Sequence, residues 1–66
     1  MRTIETRIFE TTDTSITVVV DVDVITLTVA DFAEEMDQLA WVSDMTGLSV
    51  DHPLVESVDE FLADHV

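Results

Sequence analysis

The sequence predicts an α+β fold, a small antiparallel β-sheet covered on one face by two C-terminal helices. Three observations predict it. Ser15–Val29, SITVVVDVDVITLTV, is built from Val, Ile and Thr with no Gly, Pro or Lys, a composition that favours strands. Two later stretches carry apolar residues at helical spacing, and each begins at a residue suited to capping. Strands followed by helices, rather than alternating with them, make two layers.

The 66 residues are expected to form one domain, 1–66. A chain of this size buries only about 60% of its unfolded surface, so its stability is expected to be marginal. No cysteine staples it. Its 47% apolar content supplies a core instead.

A first strand is expected over about 2–10, with Ile4, Thr6 and Ile8 on one face and Glu5, Arg7 and Phe9 on the other. Thr12–Thr14 reads as a three-residue loop that sets Ile8 against Val18 and Ile4 against Val22. In the central run the apolar positions are even from Ile16 to Val24 and odd from Ile25 to Val29, so a bulge or turn belongs near Asp21–Val24. Folding there gives strands 15–20 and 25–29, with Val18 against Leu27 and Thr17 against Thr28. The alternative to this three-stranded meander is one long bulged hairpin.

Asp31 reads as the N-cap of a helix over 32–46, with Glu34 three residues on and Gly47 as its stop. Phe32, Met36, Leu39 and Ser43 mark its inner face, with Ala40 and Val42 at the margins. Asp51 or His52 caps a second helix, 53–65, with Pro53 in its first turn. Leu54, Val55, Val58, Phe61, Leu62 and His65 form its apolar stripe.

Fifteen acids stand against two bases, Arg2 and Arg7, for a formal charge of −13. Such a surface repels nucleic acid and anionic membrane and attracts basic protein. MRTIETRIFE has no apolar core of a signal peptide, and no run is long enough to span a bilayer, so a cytoplasmic location is expected.

No constellation names a reaction. If extended, Asp21 and Asp23 share a strand face about 6.6 Å apart, but a D-x-D without further oxygen ligands is a weak metal signal. The bland reading is a solvated pair that protects a sheet edge. His52 and His65 lie thirteen residues apart with no partner at zinc spacing. They read better as a helix cap and a helix C-terminal cation. No metal, cofactor or catalytic residue is therefore expected, and a domain this small has little room for a cleft.

The acids themselves suggest a binding surface. Trp41 falls among Glu34, Asp37, Gln38 and Asp44, the look of an aromatic hot spot with an acidic rim. Against that stands the tendency of Trp to cover a core. Glu56, Asp59, Glu60 and Asp64 make the wet face of the second helix. Carboxylates four apart on a helix lie about 6 Å from each other, a scale on which a groove evolved for phosphates can be engaged. The expected partner-binding set is thus Asp21, Asp23, Glu34, Asp37, Trp41, Asp44, Glu56, Asp59, Glu60 and Asp64. An exposed sheet edge also leaves room for a homodimer.

In size, acidity and lack of a catalytic motif the chain is similar to the small acidic inhibitors of phages and mobile elements, including DNA-mimicking anti-CRISPR proteins. The resemblance covers no alignable stretch. It implies a mechanism, occupation of the basic nucleic-acid channel of a partner such as a CRISPR effector subunit, in the cytoplasm of the host cell. The absence of lysine departs from that group. Together with the excess of Asp over Glu, it fits a second reading, a halophile-adapted domain whose acidity is solvation only and which acts as a subunit or oligomer through its apolar surface.

Overall fold

The β-prone run folds back on itself, as its change of phase requires. A computed structural model describes residues 4–66. It contains β1 (Thr6–Thr11), β2 (Ser15–Val20), β3 (Asp23–Thr28), α1 (Val29–Glu34), α2 (Gln38–Thr46) and α3 (Pro53–His65). The strands form one antiparallel sheet in the order β1-β2-β3, an α+β meander followed by helices. The expected first strand began at Arg2; Arg2 and Thr3 lie outside the described residues, and the ladder begins only at Thr6.

Between β1 and β2, Ile8 pairs with Val18, as the alternation of apolar residues demands. The ladder ends at Thr6 opposite Val20, so the expected pairing of Ile4 with Val22 does not form. A bulge between Ile8 and Glu10 admits Phe9 as an extra residue. Arg7, across from Val19 on the open face, lays its guanidinium 5.4 Å from the Phe9 ring centroid.

The β2–β3 register differs from expectation by two residues. Val18 meets Ile25 rather than Leu27, and Thr17 meets Thr26 rather than Thr28, their hydroxyls 3.0 Å apart. A shift of two preserves which face each side chain takes, so the hydrophobic pattern permits both registers. The turn decides. Asp21 adopts a left-handed backbone, φ 58°, and lets Val20 pair with Asp23 across a two-residue connection. The third strand accordingly runs 23–28, and Val29 already belongs to α1.

The expected single helix over 32–46 is two helices. Thr28, not Asp31, caps α1: its hydroxyl accepts from the Asp31 N–H at 3.2 Å. Asp31 therefore sits inside the first turn, as the acid of a Thr28-x-x-Asp31 pattern. The chain leaves the helix at Glu35, which is extended, and re-enters at Asp37, whose carboxylate accepts from the Ala40 N–H at 3.2 Å. Two effects favour this break. Glu34 and Glu35 lie at the negative end of α1's dipole. The second is the Asp37 carboxylate, which supplies a competing helix start. Met36 and Leu39, expected on the inner face, are instead exposed.

Gly47 ends α2 with φ 72° and donates to the Ser43 carbonyl at 2.8 Å. His52 is the cap of α3, its Nδ1 accepting from the Leu54 N–H at 3.1 Å. Pro53 follows at the helix start. The core joins the even face of β2 (Ile16, Val18, Val20) and Leu27 to Phe32, Val42, Leu54, Val55, Val58 and Leu62. His65, placed on the α3 stripe by sequence, is exposed, and its Nδ1–H donates to the Phe61 carbonyl at 2.8 Å.

Candidate partner-binding surface

The break between α1 and α2 shapes the most distinctive surface of the molecule. With no helical ladder from 35 to 37, the chain turns outward. Glu34, Glu35, Met36, Asp37, Ala40, Trp41 and Asp44 then enclose an open cleft of about 550 Å³. Both free ends of the break are secured. The Phe32 carbonyl accepts from the Glu35 N–H at 3.2 Å and from the Gln38 side-chain amide at 3.2 Å. At the other end the Asp37 carbonyl accepts from the Trp41 N–H at 3.0 Å.

Trp41 forms one wall. It is half-buried, packed on the core, with its ring centroid 6.2 Å from that of Phe32 and the planes tilted by 60°. Neither sequence reading of this residue is the whole of it, because one part of the indole covers the core and the rest lines the cleft. Four carboxylates and the fully exposed Met36 side chain line the remainder. Among the described residues that line it there is no His, Cys, Ser or Thr, so these side chains offer carboxylates but no nucleophile of the hydroxyl or thiol type. An indole face ringed by carboxylates suits a cationic group, attracted by the charges and by the ring quadrupole.

Of the residues singled out in the sequence, Glu34, Asp37, Trp41 and Asp44 come together here. Asp37 has a double role, since one of its oxygens is engaged in the α2 cap. Glu35 and Met36 belong to the site and were missed by reading 32–46 as one helix. The available signal was the pair of cap patterns, Thr28-x-x-Asp31 and Asp37-x-x-Ala40, which together mark a second helix start. Asp21 and Asp23 lie apart from the cleft lining, at the β2–β3 turn. Glu56, Glu60 and Asp64 form an exposed row along α3, with Asp59 partly covered beside it.

The charge is unevenly divided. Residues 29–66 hold ten acids and no Lys or Arg, and residues 1–28 hold five acids and both Arg, so formal charges of −10 and −3 make up the −13. None of the fifteen carboxylate side chains is buried. Among the described residues no three His, Cys, Asp or Glu side chains converge as a metal site requires. No described helix is long and apolar enough to cross a membrane. The chain matches no protein-family model, no curated protein and no solved structure.

Proposed function

We propose that the protein is a non-enzymatic acidic interaction protein that docks on a basic, nucleic-acid-binding surface and competes there with the nucleic acid. A subunit of a CRISPR effector is the kind of partner this reading selects. The observation that carries it is the one-sided charge: ten exposed or part-exposed carboxylates and no Lys or Arg across the helical half, four of them lining a cleft with a half-buried Trp. In this reading the Coulombic field steers the encounter, and Trp41 supplies the apolar anchor that charge alone lacks. The α3 row Glu56, Glu60 and Asp64 stands in for a run of phosphates.

The test is displacement. The protein is titrated into a preformed complex of a labelled DNA duplex with a basic CRISPR effector subunit, and anisotropy of the duplex is followed. Displacement at about 50 mM salt that fades by about 500 mM supports the reading, because the contacts are between exposed charges. Absence of displacement across a panel of such subunits at low salt overturns it.

A second reading is favoured by one specific feature, a chain with no lysine and nine Asp to six Glu. Here the carboxylates serve solvation in a salty cytoplasm. Thermal melts from about 20 mM to about 3 M KCl separate the two, since that range shortens the Debye length from tens of ångströms to a few. A cooperative melt at the low end supports the interaction protein; folding only at molar salt supports the halophilic domain.

A further inference from the structure

Among the described residues β1 has a strand on one side only, and nearly all of it is exposed. Ile8 lies opposite the buried Val18, yet is 44% exposed, and Ile4 is 55% exposed. The helical layer thus leaves these side chains about half exposed. Around Thr6 the chain reads Ile4-Glu5-Thr6-Arg7-Ile8. The pattern is symmetric in polarity and opposite in charge about its centre. Laid antiparallel on a copy of itself, it sets Ile4 against Ile8, Glu5 against Arg7 and Thr6 against Thr6. A two-fold interface between identical chains requires self-complementarity of this kind.

The hydrogen-bonding direction agrees. The Glu5 carbonyl accepts from the Asp21 N–H at 2.7 Å, so Glu5 turns its backbone toward the rest of the sheet. Alternation then sends the backbone groups of Ile4, Thr6 and Ile8 to the outer edge. Centred on Thr6, the pairing makes Thr6 a hydrogen-bonded pair on the two-fold axis. Glu5 and Arg7 fall in the flanking non-hydrogen-bonded pairs, where opposite Cα atoms are only about 4.5 Å apart and side chains meet most closely. Arg7 already holds its own Glu5, Nε to Oε1 at 3.0 Å, with both side chains more than half exposed. Pairing extends that bond into a ladder of alternating charge. The bulge after Ile8 ends the register there.

Charge also selects this edge. Segment 4–8 carries one acid and one base, and ten of the acids lie in residues 29–66. Two strongly acidic chains therefore meet with least repulsion along β1. We propose that β1 pairs antiparallel with the β1 of a second copy, about a two-fold axis at Thr6, to make a continuous six-stranded sheet. This inference is independent of the function proposed above.

Sedimentation velocity on the full chain, from about 5 μM to about 500 μM, reads the association, since so short an interface is at the weak end of the specific range. A reversible monomer–dimer equilibrium is expected. T6P removes the N–H on the axis without touching a bond to β2, and is expected to leave a folded monomer by circular dichroism. E5R places like charges opposite each other twice and is expected to raise the dissociation constant by roughly tenfold. The swap E5R/R7E restores opposite charges and is expected to bring it back to within about threefold of the parent. Both charge variants leave the backbone unaltered, so they decide the matter if T6P unfolds. A chain that stays monomeric throughout, a folded T6P that dimerises like the parent, or a swap no better than E5R alone would each overturn the proposal.

Discussion

Trp41 stands with its ring centroid 6.2 Å from that of Phe32, the planes tilted by 60°, and so ties the cleft to the core. Phe32 is 1% exposed and anchors α1; Trp41 is half-buried on α2. Across the break at 35–37 this ring pair is one of the few contacts that can fix the two helices relative to each other. Such tilted pairs contribute about 0.5–1.5 kcal/mol beyond area burial. W41A is therefore expected to lower stability by about 2 kcal/mol, less than for a fully buried ring. It should also weaken partner binding by about tenfold or more. M36A makes the control: its side chain is fully exposed, so stability should change by less than about 0.5 kcal/mol. Urea melts beside the displacement titration read both. A W41A protein that melts lower but displaces the duplex unchanged would confine Trp41 to the core.

Glu60 sits between Glu56 and Asp64 at i−4 and i+4 on the exposed face of α3. Like charges at that spacing each cost about 0.2–0.5 kcal/mol, and reversing the middle one converts two repulsions into two attractions. E60K is expected to raise stability by about 1 kcal/mol in dilute buffer, and the gain should vanish near 1 M salt. In the nucleic-acid-mimic reading the same change weakens displacement of the duplex. A variant that is more stable and displaces as well as the parent would remove the α3 row from the binding surface.

The sheet was legible because its signal is redundant. Alternation in Ile16, Val18 and Val20 fixes the buried face of β2, and only one parity of pairing keeps Ile8 and Leu27 on that face. The two-residue shift against β3 was not legible, since it preserves parity and depends on the backbone of a single residue, Asp21. The helix break escaped for a related reason. Phe32, Met36, Leu39 and Ser43 fit a helical period well, so periodicity alone favoured one helix. Capping chemistry, Thr28 with Asp31 and Asp37 with Ala40, outweighed it. Of the site, the residue types were visible and the cleft was not, because the cleft exists only where the helix stops.

Asp21 adopts φ 58°, a conformation that Asn and Gly enter more readily than other residues. D21N keeps the backbone N–H that bonds Glu5 and a side chain that enters the left-handed region readily, so it is expected to keep the turn in this conformation. D21I, whose branched side chain resists the left-handed region, should cost about 1–2 kcal/mol. A D21I that melts with the parent would mean that the turn is not held in this conformation.

Gly47 offers the cleanest test of a helix stop. Its φ is 72°, its N–H donates to Ser43, and a Cβ built there meets nothing within 4 Å. Any penalty for a side chain must then come from the backbone conformation alone. G47A is expected to cost about 1 kcal/mol, with G47N between alanine and the parent because Asn tolerates the left-handed region. D-alanine at the same position, introduced by chemical synthesis of the chain, should do the reverse. Its mirror-image preference matches φ 72°, and it restricts the unfolded chain more than glycine does, so a gain of about 0.4–1 kcal/mol is expected. Denaturant melts of the three proteins decide it. Equal losses for L- and D-alanine would point to a steric clash, and so to a C-terminus of α2 packed differently from the one seen here.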